Sequence, residues 1–449
     1  MHKPTPSVNK TASAEHLKAF SVERPSVSSS AWSIRLITTD EEFDALEGEW
    51  NRLTGESACT VFQHFVWLRT WWKHFRNPRR HHLHIVVFSL HGKPVGIAPL
   101  YLERKRVLGI FPFRRLAFLG RRSSDYLDLI VQQGLEREVS ELFVRYLYSV
   151  QRQWSCVLLE EIPEHSPTHR YVESAAGYVH LHTSASISAY CPKVLLPPCW
   201  QTYLRQHTKK TRHEFRRRER FLVKEFDAKF ETVTDESSFD QAFEEFIALH
   251  QQRWNHRGEP GVFSDPVHAA FHRETARELL RRGLVRLSFL RVNGSRVAGS
   301  YGFVHQSTYA MYLLGMGDAG RAERYSPGII LCSYALRQAI SEGCRVFDFM
   351  RGRERYKYTF LARDYPNWTV ALFRHGGPLR FLLQFGCTLA VLSEALKDRM
   401  RKELWRFRRV REHHGLLSLP VLLCVLRASG SLVCDGVRKL REPSAGRFT

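Results

Sequence analysis

The second half of this chain repeats the order of elements set out in the first, and that repetition limits its folds more than any single motif does. The first half opens with helical apolar spacing from Asp40 to Leu53 and an aromatic-rich helical run from Phe62 to Phe75. Two β-rich runs follow, His84 to Leu90 and Val95 to Leu102, joined by the hairpin chemistry of His91-Gly-Lys-Pro94. Strands at Leu116 to Leu119 and Tyr126 to Val131, a helix from about Glu136 to Arg152 and a strand at Val157 to Glu160 complete the unit.

In the second half, a helix from Phe239 to Trp254 answers the one ending at Leu53, and Leu287-Ser-Phe-Leu-Arg-Val-Asn-Gly-Ser-Arg-Val-Ala298 answers Val87-Phe-Ser-Leu-His-Gly-Lys-Pro-Val-Gly96. Ala310-Met-Tyr-Leu-Leu-Gly315 answers Arg115-Leu-Ala-Phe-Leu-Gly120; a helix from Gly328 to Ser341 answers that from Glu136, and Val346 to Met350 answers Val157 to Glu160. Five elements in one order imply two copies of one α/β (α+β) unit, joined through Leu195-Leu-Pro-Pro198 and a basic helical segment, Leu204 to Phe226.

At 449 residues the chain exceeds what one core organises, in keeping with two domains. The expected organisation is a disordered Ser/Pro-rich leader over 1–30, a first lobe over 31–194, a second over 195–370 and a basic helical extension over 371–449. The leader lacks the apolar run of a secretion signal, and the apolar stretch from Leu416 to Leu426 is too short to span a bilayer. Nine cysteines with no CxxC pair suit reduced thiols in a cytoplasm better than disulfides or a zinc site. No HExxH, Walker or GxSxG sequence supports a metalloprotease, an NTPase or a serine hydrolase, and no metal is expected. The formal charge of +22 draws anions without naming one.

The residues that carry chemistry gather after Tyr325. There Tyr325-Ser-Pro-Gly328 turns into a helix whose N-terminal amides and dipole suit a phosphate or pyrophosphate. The helix leads to a strand that presents Asp348 just before Arg351-Gly-Arg-Glu-Arg-Tyr-Lys-Tyr358, an irregular charged segment.

With Leu249-His250, Arg253-Trp254, the Ala339 to Gly343 helix end and the run Asp348, Arg351-Gly352, Glu354 and Tyr356-Lys357, this segment resembles the GNAT acetyltransferase superfamily. The resemblance is to its CelD-like branch, the cellulose-biosynthesis proteins, which is related to the FemAB aminoacyltransferases. It covers residues 32–400, with the specific motifs in the second half, and implies two tandem GNAT-like lobes, each a mixed and mostly antiparallel sheet flanked by helices. It also implies acyl transfer from a thioester, usually acetyl-CoA, to an amine. The glycine-rich Q/R-x-x-G-x-G/A loop of ordinary GNAT enzymes is absent before Gly328, so the donor is not read from residues, and a FemAB-like aminoacyl-tRNA donor is the alternative.

Direct transfer needs a base for the amine, donors for the developing oxyanion and an acid for the thiolate. Asp348 is the candidate base, Lys357 the candidate charge stabiliser and Tyr356 the candidate proton donor; the bland readings are an ion pair of Asp348 with Arg351 or Arg353, a surface Lys and a packed Tyr. Acyl-CoA is expected between the strand of Leu313 and Leu314 and the turn of Tyr325, Ser326, Pro327 and Gly328. His250, Arg253 and Trp254, neighbours on one helix face, and Arg351 and Glu354 are candidates for the acceptor, an amine on a small molecule, an amino sugar or another envelope precursor. Ser123, Asp125 and Asp128 mark a weaker candidate site in the first lobe.

The positive run Arg205, Lys209, Lys210, Arg212, Arg216, Arg217, Arg218, Arg220 and Lys224 is read as a basic helix with one buried face. With a second basic stretch, Lys397 to Arg411, after the apolar helix Phe381 to Leu396, it could rest on an anionic membrane surface. The remaining alternative is a non-catalytic basic scaffold for polysaccharide or membrane machinery.

Overall fold

In a computed structural model the described residues are 31–107, 111–373, 399–400 and 402–407. The leader, the Phe381 to Leu396 helix, the Leu416 to Leu426 stretch and part of Lys397 to Arg411 lie outside them. No described helix is long and apolar enough to cross a membrane.

The two-residue turns show how local chemistry starts each lobe. His91 and Gly92 have φ of 50° and 77°, and Asn293 and Gly294 have 49° and 82°. Both pairs make the left-handed turn that matches strand twist, so Leu90 pairs Lys93 and Val292 pairs Ser295. Before each hairpin lies a helical layer: Asp40–Asp44, Glu47–Gly55 and Phe65–Phe75 in the first lobe, Glu236–His256 and Pro266–Arg281 in the second. After it come one strand in the second lobe and three in the first, a helix (Glu136–Ser149 or Pro327–Ser341) and a strand parallel to an earlier one, Cys156–Pro163 to Phe111–Phe118 and Val346–Asp348 to Thr308–Met316. The repeat read from the sequence is therefore present in three dimensions.

The lobes exchange their last strands. His182–Leu195, which ends the first lobe, lies antiparallel to Val346–Asp348 of the second, and Arg363–Phe373, which ends the second, lies antiparallel to Cys156–Pro163 of the first. The exchanged strands also pair with each other, from Arg363 opposite Lys193 to Phe373 opposite His182. They fuse the lobes into one sheet of eleven strands among the described residues, with a separate four-stranded sheet in the first lobe. Phe62, Trp67, Phe271, Tyr301 and Phe303 interlock edge to face where the lobes' helices meet, so the aromatic run of the first lobe is core and largely inter-lobe core.

Several expected boundaries shift. The strand expected over Tyr126 to Val131 shrinks to Ile130–Val131, because Tyr126 and Asp125 turn toward the second lobe and bond there. The basic helix is broken: Trp200–Arg205 ends, and Lys209–Phe226 restarts with the Thr208 hydroxyl accepting from Thr211 N. The strand expected to reach Met350 stops at Asp348, since Met350 takes a φ of 58°.

Candidate functional site

The strands Thr308–Met316 and Val346–Asp348 run parallel for only three residue pairs, the last being Ala310 opposite Asp348. Beyond that pair the first strand continues to Met316 along Ser295–His305, while the chain after Asp348 turns away through Met350 and Gly352, at φ 58° and 110°. The strands thus part into a wedge, and the helix Pro327–Ser341 lies along one of its faces, with Cys332 Sγ 3.8 Å from Met311 Sδ. At the start of that helix Ser326 is left-handed, and a Cβ on Gly328 would stand 2.7 Å from Met316 Sδ. A larger residue there would have to push the flexible Met316 thioether aside.

The expected donor residues do converge here. Leu313 and Leu314 lie on the diverging strand, and Tyr325, Ser326, Pro327 and Gly328 form the turn beside its end. Arg253 reaches in from Glu236–His256 and donates to the Leu314 carbonyl at 3.1 Å. Burial lowers its pKa, and Tyr356, Cys332 and Glu354 are among the groups that act on it. Burial also pushes the Tyr356 phenol upward, helped by Cys332 and Glu354, so it stays protonated. Tyr356 packs edge to face on Phe349 at 6.0 Å, on the far side of the wedge.

Asp348 faces the other way, into a cavity of about 220 Å³ between the lobes. It is 1% exposed. Its Oδ1 accepts from Met350 N at 2.8 Å, its Oδ2 accepts from the Tyr126 hydroxyl at 2.7 Å, and Lys193 Nζ stands 3.4 Å from Oδ2. Lys193 is the cross-strand neighbour of Asp348 and lies over the Tyr126 ring at 4.6 Å. Burial first, and then the Asp348 charge, hold the Tyr126 hydroxyl well above its ordinary pKa, so it donates to the carboxylate. Thr60, Gln306, Thr308 and exposed His165 complete the polar side, and the buried Nε2 of His305 has no partner among the described residues. Ala310 and Asp348, the apex of the wedge, belong to the wall of this cavity, so a group threaded through the wedge meets one held between the lobes.

Three expectations are corrected. Lys357, 2% exposed, does not face the wedge with free donors: its Nζ donates to the carbonyls of Met350, Arg351 and Gly352 at 3.0, 3.0 and 2.9 Å and meets Glu354 at 2.9 Å. An ammonium has three protons, and here all are committed to holding the turn after Asp348. Arg351 does not await an acceptor; its guanidinium bridges Asp125 at 2.8 Å and Glu161 at 3.2 Å in the first lobe. His250 and Trp254 do not form an acceptor corner with Arg253, because buried His250 packs on Phe263 at 4.8 Å and burial lowers its pKa to about 4. Trp254 lies under Arg257 at 5.8 Å. Asp348 pairs with neither Arg351 nor Arg353, the latter being bound to Asp364 at 2.5 Å.

The sequence reading missed Tyr126, Lys193 and His165. The one local signal was Lys193 itself, a lone cation in the otherwise apolar run Cys191-Pro-Lys-Val-Leu-Leu196. Of the first-lobe candidates, Asp125 is the partner of Arg351. Asp128 is a buried carboxyl whose pKa burial raises to about 6 against hydrogen bonds from Ser166 and Thr168.

Two tandem α/β units fused through one sheet, with parallel strands parting beside a helix N-terminus, make up an acetyltransferase-like fold. Residues 209–358 match the family model described as the acetyltransferase (GNAT) domain. The matched stretch, a third of the chain, is a GNAT-type acyltransferase domain. Among solved structures it is similar to FemX, at a TM-score of 0.52 and 9% identity over 75% of this chain and 96% of that one. It is also similar to L-PGS from Bacillus licheniformis (TM-score 0.46, 12% identity, 76% and 95% covered). A tandem GNAT protein from the clavulanic acid biosynthesis pathway gives 0.38 at 12% identity, with 77% and 100% covered. No curated protein matches the sequence. The likeness to FemX shows the fold.

Proposed function

We propose that the second lobe transfers an acyl group, acetyl first of all, from acyl-CoA to an amine held between the lobes. The observation that carries this reading is the shared wall of wedge and cavity at Ala310 and Asp348. The donor lies along Leu313 and Leu314, with its pyrophosphate at the Tyr325-Ser-Pro-Gly328 turn and its thioester at the apex. The GNAT match supports acyl-CoA as the donor.

In this mechanism the amine attacks the thioester carbon as Asp348 takes its proton. The C–S bond then breaks, and Tyr356, kept protonated by burial, supplies the proton that the leaving thiolate needs. Tyr126 and Lys193 fix the carboxylate, and Lys357 fixes the turn that carries it. Glu354, next to both Lys357 and Tyr356, is placed at the wedge rim. The cavity admits a small amine or one amine-bearing end of a glycan, which fits an amino sugar or other envelope precursor and a cytoplasmic site of action.

Titration calorimetry of acetyl-CoA and longer acyl-CoAs into the wild type and Gly328→Trp tests the donor. Binding that the variant loses supports the reading. If no CoA binds and aminoacyl-tRNA alone raises the melting temperature, the acyl-CoA reading is wrong.

A further inference from the structure

The helix Lys209–Phe226 carries a feature that the transfer chemistry does not use. It buries Phe215, Leu222 and Phe226 against the second lobe. On the opposite side Lys209, His213, Arg216, Arg220 and Lys224 are all exposed. At about 100° per residue these five fall within an arc of about 80°, in a straight row about 22 Å long.

Neutralisation within the helix does not reach this row. Its three carboxylates are engaged elsewhere: Glu214 with Arg217 and Arg218, Glu219 with Arg337, and Glu225 with Arg324. Among the described residues no carboxylate pairs with Lys209, Arg216, Arg220 or Lys224.

We infer that this row is a docking surface for an anionic phospholipid bilayer, on which the protein lies peripherally with the helix parallel to the membrane plane. A straight convex row lets every cation touch one flat surface at once. No aromatic side chain of the helix stands free to stack on a base, since Phe221 lies flat against Tyr325 at 5.3 Å and 10°, and Phe215 and Phe226 are buried. Strand-binding proteins combine their cations with free rings in a groove; the cavity of about 470 Å³ beside Arg216 has its rings engaged, Trp200 stacked on Tyr203 at 5.2 Å with Arg337 over it at 5.0 Å, and Phe215 stacked on Phe360 at 5.5 Å. The row also lacks the broad apolar face of an inserting helix, so adsorption is electrostatic, shallow and sensitive to salt. The inference does not depend on which donor the wedge takes.

Co-sedimentation of the full chain with vesicles tests it, using phosphatidylcholine alone and phosphatidylcholine mixed with phosphatidylglycerol. The protein is expected to bind only the mixed vesicles and to leave them as salt is raised. At about 1 kcal/mol per cation, the triple variant Lys209→Gln, Arg216→Gln, Arg220→Gln lowers partitioning about 100-fold. An unchanged thermal melt shows that the variant is folded, and if the triple variant melts early, Lys224→Gln alone, expected to lose about 5-fold, serves instead. Equal binding to both vesicle types, no binding to either, variants that bind like the wild type, or tighter binding to a duplex oligonucleotide than to the mixed vesicles would overturn the inference.

Discussion

The Tyr126 hydroxyl donates to Asp348 Oδ2 at 2.7 Å across the lobe boundary, although the two residues are 222 positions apart in the chain. The carboxylate at the wedge apex is therefore held by a residue of the other lobe. Asp348→Asn is expected to lower kcat at least about 100-fold with acetyl-CoA affinity unchanged. Tyr126→Phe removes one hydrogen bond to a charged acceptor and should cost about 10-fold or more in kcat. Steady-state rates beside calorimetric CoA affinities check both, and an active Asp348→Asn would remove this residue from the mechanism.

Lys357 belongs to stability. Lys357→Met strands three carbonyls that now share one ammonium, and it should lower the unfolding free energy by about 3 kcal/mol. The same substitution at exposed Lys229 should change little. Denaturant titration of the two variants distinguishes them.

Arg351→Met leaves the carboxylates of Asp125 and Glu161 facing each other without their cation. Loss of a fully buried partner costs about 3–5 kcal/mol, and because the Arg351 side chain is 39% exposed the expected loss is nearer 2 kcal/mol. The deficit should shrink as pH falls, since burial already raises the Glu161 pKa and, without Arg351 to lower it, its protonation relieves the repulsion. Melting temperatures between pH 5 and 8 measure this.

Asp128 works in the opposite sense to an ion-paired carboxylate. Its pKa is raised to about 6 in the folded protein, so the folded state holds its proton more tightly than the unfolded state. The stability that this proton contributes is complete below about pH 4 and is lost as pH rises through about 6. Asp128→Asn, which stays neutral, should flatten that part of the stability profile and gain up to about 3 kcal/mol at pH 7 relative to the wild type. A wild-type profile that is flat between pH 4 and 7 would contradict this.

The sequence by itself determined the repeated units, their hairpin turns and the helix start at Pro327-Gly328 beside the Leu313 strand. Each is set by local chemistry: periodic burial, the left-handed pairs His91-Gly92 and Asn293-Gly294, and the Pro327-Gly328 helix start beside its strand. It also singled out Asp348 at the apex of the wedge, and Tyr356 and Arg253 on its two sides. Only the tertiary structure decided where the remaining side chains point. Lys357 and Arg351 sit in the charged segment that the sequence marked, but which acceptor satisfies each cation depends on backbone carbonyls and first-lobe carboxylates brought in by folding. Lys193 reaches Asp348 because the lobes trade their last strands, and Tyr126 because the loop before Ile130–Val131 packs against the second lobe; both follow from non-local pairing and inter-lobe burial. Local periodicity reports which face of an element is buried; it carries no record of which distant strand does the burying.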